Sequence, residues 1–126
     1  MKFDNHTQMS ITYMDTYIHI KVEGIITMES SYQNFLKINA AIEEYDCHRL
    51  LLENNYENAL ALEDTLEIHK RMVEHSILNV FNSKNAFVVK EDQFESFKTY
   101  ESMLNTLNVD VKVFTDKSLA IQWLVR

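Results

Sequence analysis

The sequence predicts an α/β fold: a mixed, largely parallel five-stranded sheet with an N-terminal β-hairpin and four helices, in the order β-β-α-β-α-β-α-β-α. Alternating apolar and polar residues near the N-terminus indicate strands with one solvated face. Helical periodicity then alternates with short apolar runs, which is typical of a parallel sheet with crossover helices. One glycine and no proline disfavour long irregular loops.

The composition indicates a single acidic domain spanning residues 1–126. There are 12 basic and 19 acidic residues, and the net charge of −7 disfavours nucleic acid and anionic membranes, whose phosphates need basic partners. The N-terminus lacks the pattern of a signal peptide, and no apolar run approaches the ~20 residues of a membrane span. The single cysteine, Cys47, cannot form an intramolecular disulfide. These features predict a cytoplasmic protein.

The first two strands are predicted as a hairpin over residues 9–14 and 17–25. Every second residue from 18 to 22 is apolar, which is the period of a sheet with one face in the core. Thr27 follows as the predicted N-cap of a helix over residues 28–45.

The middle of the chain predicts a buried strand followed by a second helix. Residues 49–53 contain three consecutive leucines, which suits a strand buried on both faces, and residues 54–62 read as a polar connection. Asp64 and Glu67 have capping-box spacing and predict a helix start, with the helix continuing to about residue 78. Its predicted inward residues are Leu66, Met72, Val73 and Ile77.

A third strand–helix unit is predicted from residue 85 onward. Residues 85–90 contain an apolar run that favours a core strand. Asp92 and Glu95 repeat the capping-box spacing and predict another helix start. The apolar residues of that helix are Phe94, Phe97, Met103, Leu104 and Leu107.

The C-terminal residues resemble a known family. A strand over residues 109–114 leads through Thr115 or Asp116 as N-cap into a helix over residues 117–125. This unit resembles the C-terminal signature of SpoIIAA-like, or STAS/SEC14-type, domains, which reads as a strand, a Phe-Thr-Asp cap and a helix with Ala and Trp-Leu. The matching residues here are Phe114, Thr115, Asp116, Ala120, Trp123 and Leu124. Residues 24–27 with Tyr32 are similar to the family's second strand end and first helix start, so the resemblance implies a STAS-like fold over the whole chain.

One departure from that family concerns its phosphorylation switch. The anti-sigma-factor antagonists carry a serine in an Asp-x-Ser-Gly turn after the third strand. Residues 52–56 read Leu-Glu-Asn-Asn-Tyr at that position, so the resemblance implies no phospho-serine switch here. Thr65 is a nearby hydroxyl at a helix start, where a phosphate would be favoured, although a capping or solvated role is the simpler interpretation.

The histidines and the cysteine form no recognised catalytic or metal-binding motif. No two of the five histidines have the spacing of a helical metal site. Cys47 and His48 are adjacent, but neighbours at the start of a strand point to opposite faces, which argues against a nucleophile–base pair. The sequence therefore predicts no catalytic residue, no metal site and no cofactor.

A candidate site lies where the third strand ends, because ligands of open α/β sheets bind outside the carboxyl ends of the strands. Polar residues of the predicted loop and of two helix starts could converge there. They are Glu53, Asn54, Asn55, Tyr56, Asn58, Thr65 and Thr115. The alternative is a solvated loop beside helix caps.

Three functions follow from these observations. The leading hypothesis is a non-enzymatic, STAS-like regulatory module that binds a protein partner or forms a homodimer, because an N-terminal hairpin leaves an edge strand to be paired. The second is a binder of a small apolar or lipid-like ligand in a pocket between helices and sheet. Core packing explains most of the aromatic residues at helical spacings, but some of them could border such a pocket. They are Tyr32, Phe35, Phe94, Phe97, Tyr100 and Trp123. The third is an enzyme that works through residues 53–58.

Overall fold

The computed structural model describes residues 7–126; His6 and the rest of residues 1–6 lie outside the described residues. The strands are β1 (Thr7–Tyr13), β2 (Ile18–Gly24), β3 (Arg49–Tyr56), β4 (Lys84–Val88) and β5 (Asp110–Phe114). The helices are α1 (Met28–Tyr45), α2 (Leu62–Glu74), α3 (Phe94–Thr106) and α4 (Lys117–Leu124), with a short 3-10 helix, Glu91–Gln93, before α3. This order confirms the predicted succession of strands and helices.

The five strands form one mixed sheet in the order β1-β2-β3-β4-β5. β1 and β2 are antiparallel, and the remaining neighbours are parallel. At the hairpin the Met14 amide donates to the Tyr17 carbonyl at 2.8 Å. Asp15 adopts a left-handed conformation there (φ 69°), which Asp tolerates better than most side chains. The structure therefore confirms the predicted hairpin and the largely parallel sheet.

The two faces of the sheet are covered by different helices. On one face, Ile20 of β2 and Leu50 of β3 pack against residues of α1 and α2 such as Ile42 and Met72. Further along the same face, β4 and β5 pack against α3. The opposite face carries α4, whose Ala120 and Leu124 contact Leu51 and Ala86. Three helices therefore cover one face of the sheet, and one helix covers the other.

β3 is longer than the sequence predicts. Residues 54–56 belong to the strand and pair in parallel with residues 22–24 of β2, so the predicted polar connection over residues 54–62 is wrong in its first three positions. Asn54 is only 3% exposed, and its amide nitrogen lies 3.5 Å from Oε1 of Gln93. Pairing with β2 overrides the low strand propensity of asparagine.

The predicted helix caps are confirmed at two helices, α1 and α4, and the predictions for α2 and α3 are wrong. Thr27 caps α1: its hydroxyl accepts from the Ser30 amide, and the Ser30 hydroxyl accepts from the Thr27 amide. Asp116 caps α4 by accepting from the Leu119 amide. The predicted box of Asp64 and Glu67 is wrong because α2 already begins at Leu62, without a side-chain cap. The box of Asp92 and Glu95 is wrong because the 3-10 turn contains Asp92 and α3 begins two residues later.

The buried face of α2 also differs from the prediction. Ile68 and Met72 are buried, whereas Leu66 and Val73 are 44% and 49% exposed. α2 ends at Glu74 rather than near residue 78, because Ser76 adopts a left-handed conformation (φ 57°) that stops the helix. The apolar pattern of this segment contains more residues than one face can bury, and contact with α1 and the sheet selects which of them turn inward.

Candidate ligand cavity

A cavity of about 400 Å³ lies between the sheet and the three helices α1, α2 and α3. Strand residues on its sheet side include Val22, Leu52 and Phe87, and helix residues include Ile38 and Leu104. The volume falls in the range of small-molecule sites, which are mainly apolar clefts of ~300–1,000 Å³ with a few polar groups. The position is the carboxyl end of β2 and β3, where ligands bind in open α/β sheets.

The cavity wall is uncharged. The described residues that line it include no aspartate, glutamate, lysine or arginine. Its polar groups are amides, hydroxyls and one imidazole. They belong to Ser31, Asn34, Asn54, Tyr56, Asn58, Thr65, His69, Ser96, Thr99 and Tyr100.

Two tyrosines in the wall remain protonated well above neutral pH. Burial raises the pKa of Tyr56, although its hydroxyl accepts a hydrogen bond from the Asn34 amide nitrogen at 3.0 Å, which works in the opposite direction. Burial raises the pKa of Tyr100 to about 12. Because both phenols stay neutral, they act as hydrogen-bonding groups of the wall and not as charges.

The imidazole in the wall belongs to His69 of α2. Its ring lies 4.3 Å from the Phe81 ring, measured between centroids, and burial lowers its pKa. Nδ1 is buried and has no hydrogen-bond partner among the described residues. An unpaired buried nitrogen costs less in a neutral ring than in a charged one, so this histidine is a neutral wall residue at pH 7.

The structure divides the predicted site residues between the two faces of the sheet. Asn54 and Tyr56 of β3 line the cavity, as do Asn58 and Thr65 beyond the strand. Successive side chains of a strand point to opposite faces, so Glu53 and Asn55 do not line the cavity.

Thr115 lies away from the cavity as well, exposed at the start of α4. The sequence interpretation missed His69 as a wall residue and treated Tyr100 chiefly as a core residue. The helical spacing of the aromatic residues was the signal for a pocket between helices and sheet.

Glu53 instead centres a charged cluster on the α4 face. Its Oε1 lies 2.8 Å from Nε2 of His19 and 3.2 Å from Nζ of Lys117. Burial alone would raise the pKa of Glu53, but hydrogen bonds from His19 and Lys117, together with their charges, hold it below its ordinary value. The cluster ties β2, β3 and α4 together.

A second cleft, at the opposite end of the strands, contains an aspartate, a histidine and a serine. Nε2 of His48 lies 3.8 Å from Oδ1 of Asp46, and Nδ1 lies 3.5 Å from Oγ of Ser83. Ser83 is 3% exposed, and its hydroxyl already donates to the Asn79 carbonyl at 2.6 Å. Its proton is therefore directed away from the histidine, and this arrangement does not generate a serine nucleophile.

Two classes of site are absent from the part of the chain that the structure describes. No group of three histidine, cysteine or carboxylate side chains among residues 7–126 is placed to hold a metal ion. Within the same range, no helix is long and apolar enough to cross a membrane.

The fold defined by this sheet, its hairpin and its helices is that of the SpoIIAA-like proteins. A solved structure of an uncharacterized protein of the DUF3478 family from Shewanella loihica PV-4, described as having a SpoIIAA-like fold, is similar to this chain with a TM-score of 0.59. The two are 16% identical in sequence, and the similarity covers 98% of each chain. No family model and no curated protein match the sequence. The likeness establishes the fold and confirms the family resemblance at that level.

Proposed function

We propose that this protein is a non-enzymatic binder of a small, mainly apolar ligand, which occupies the cavity between the sheet and helices α1, α2 and α3. The observation that carries the proposal is the cavity itself, with about 400 Å³ of volume and an uncharged wall. A well-packed core has few voids larger than a water molecule, so a space of this size at the carboxyl end of parallel strands favours a binding role over a packing role.

The chemistry of the wall supports binding rather than catalysis. A nucleophile needs a base within hydrogen-bond reach, and the base needs a group that orients it. The His69 ring packs against the Phe81 ring at an interplanar angle of 43°, and the Tyr56 hydroxyl accepts a hydrogen bond from Asn34. The free thiol of Cys47 lies outside this cavity and is typical of a reducing compartment, which supports a cytoplasmic location as part of the proposal.

Ala59→Trp tests the binding proposal. Ala59 is exposed in the loop that borders the cavity, so an indole ring at this position would obstruct the entrance without disturbing the core. We expect the wild-type protein to bind the neutral fluorescent probe N-phenylnaphthylamine and the variant to bind it at least about tenfold more weakly, since roughly 1.4 kcal/mol corresponds to tenfold.

Glu57→Trp is the matched control, because Glu57 is exposed in the same loop but does not line the cavity. The control should bind the probe like the wild type. Absence of probe binding to the wild type, together with native mass spectra showing no co-purified small molecule, would exclude the proposed function.

A second candidate function, protein binding or self-association, is favoured by an apolar stripe on α2. Leu62, Leu66 and Val73 are 47%, 44% and 49% exposed and recur at helical spacing on one side of the helix. β1 also forms an open edge of the sheet. We propose that a second copy of the chain covers the stripe.

Sedimentation of a Leu66→Glu, Val73→Glu double variant tests this candidate. We expect the wild type to sediment as a dimer and the double variant as a monomer. Leu119→Glu is the control, because Leu119 is also an exposed leucine (54%) but lies on α4. A monomeric wild type at the highest accessible concentration would contradict self-association.

A further inference from the structure

The Tyr100 hydroxyl is a hydrogen-bonding group in the cavity wall that the protein itself leaves unused. Its ring packs against two other wall residues, with centroids 5.8 Å from Phe87 and 6.0 Å from Phe97. The hydroxyl makes no hydrogen bond within the described residues and is not among the polar atoms sealed off by packing. Tyr100 is partly exposed and lines the cavity, so its hydroxyl can donate a hydrogen bond to a ligand oxygen placed there without breaking a bond within the described residues.

The surroundings of this hydroxyl keep it a neutral donor. Burial raises the pKa of Tyr100 to about 12, so its proton is present throughout the physiological range. A ligand oxygen placed against it would accept a hydrogen bond that the hydrocarbon part of the ligand shields from water, and a shielded bond is electrostatically stronger than one in water.

The rest of the wall selects against charged ligands. An ion moved from water into the cavity loses its hydration, and none of the wall side chains within residues 7–126 carries the opposite charge to compensate. The side chains of Tyr56 and Asn34 are hydrogen-bonded to each other and are neutral, so neither provides a charge to balance that of an ionic ligand. The net charge of −7 further disfavours anions.

We propose that the cavity binds an uncharged, largely hydrocarbon molecule with one oxygen atom that accepts a hydrogen bond from the Tyr100 hydroxyl. This inference rests on the proposed function and specifies its ligand class as neutral ketones, esters, ethers or alcohols, with carboxylates and phosphates excluded. A volume of about 400 Å³ has room for about a dozen non-hydrogen atoms at ~30 Å³ each.

Displacement of N-phenylnaphthylamine by three probes of equal chain length tests this assignment. The probes are a medium-chain methyl ketone, the alkane and the carboxylate. The wild type should bind the ketone roughly three- to tenfold more tightly than the alkane, as expected for one neutral hydrogen bond. It should bind the carboxylate more weakly than either.

Tyr100→Phe removes the hydroxyl and keeps the ring. This variant should lose the preference for the ketone over the alkane and bind the alkane within about twofold of the wild type, as burial of the hydrocarbon is unchanged. Tyr32→Phe is the control, because Tyr32 is a tyrosine of α1 outside the cavity lining. It should retain the preference, and circular dichroism should show both variants folded.

The possible failures are distinguishable. If the wild type binds none of the three probes, the proposed function fails and the ligand assignment fails with it. If it binds the carboxylate most tightly, or if Tyr100→Phe retains the full preference for the ketone, the assignment is overturned while the cavity remains a binding site.

Discussion

At the scale of single residues, Glu53 shows how a charged side chain is accommodated on a mostly covered sheet face. Its carboxylate is about one-fifth exposed and contacts His19 and Lys117. Hydrogen bonds to an ionised group stabilise the folded state more than hydrogen bonds between neutral groups do. Partial exposure of Glu53 to solvent reduces this stabilisation. Glu53 is adjacent in β3 to Asn54, which lines the cavity. Because successive side chains of a strand point to opposite faces of the sheet, the carboxylate lies on the face away from the cavity.

The protonation of Glu53 predicts a pH-dependent stability. Its folded-state pKa is held below the ordinary value of 4.5, so its contribution is present above that value and is lost as the pH falls through the lower folded-state pKa. Glu53→Gln should therefore lower the free energy of unfolding by about 1 kcal/mol at pH 7 and by less at pH 3. Urea denaturation at both pH values measures this. Equal losses at the two pH values would contradict the charge-based explanation.

At the scale of elements, the helices begin in two different ways. α1 and α4 begin with side-chain caps from Thr27 and Asp116. α2 and α3 begin without a side-chain cap, and acidic residues lie in their first turns, where they complement the partial positive charge of a helix start. The loops that precede α2 and α3 therefore need no specific capping residue.

Removal of a cap should destabilise only the helices that have one. Thr27→Ala should cost about 1 kcal/mol, because the Ser30 amide loses the Thr27 hydroxyl as its acceptor. Asp64→Ala should cost less than about 0.5 kcal/mol, because α2 makes no side-chain cap bond at its start. Thermal unfolding of the two variants measures the difference, and equal costs would contradict the described helix starts.

At the scale of the whole molecule, the two sheet faces are covered to different degrees. One face carries α1, α2 and α3 with the cavity beneath them, and the other carries α4. The α4 interface is small and tight: Ala120 and Leu124 are fully buried against Leu51 and Ala86. We therefore expect close packing on the α4 face to stabilise the sheet, because the opposite face contains the cavity.

This uneven distribution predicts that stability depends strongly on α4. Leu124→Ala should lower the free energy of unfolding by about 2–5 kcal/mol, because the residue is fully buried and its site is closely packed. Leu119→Ala on the same helix should change it by less than about 0.5 kcal/mol, because Leu119 is exposed. Chemical denaturation measures both values. A small effect at Leu124 would show that α4 is not essential to the fold.

Local patterns along the chain were sufficient for the order of elements, the hairpin, the cap at Thr27 and the final strand–helix unit. Each depends on interactions between residues close in sequence, such as strand alternation, capping spacing and helical periodicity. The end of β3 was not predictable in this way, because Asn54 and Tyr56 take strand geometry from pairing with β2. The same applies to α2, where packing against α1 and the sheet selected Ile68 over Leu66.

The family resemblance at Phe114, Thr115 and Asp116 indicated a SpoIIAA-like fold, and the structure has that fold. The proposed binding site, unlike the fold, was not predictable from local patterns, because its wall combines residues that are distant in sequence. They come from β2, β3, β4 and three helices. Tyr100 reads as a core residue in the sequence, and its unpaired hydroxyl is visible only when α3 is docked on β4 and β5. Residue order determines local structure through short-range geometry, whereas a cavity is the space that packed elements leave between them.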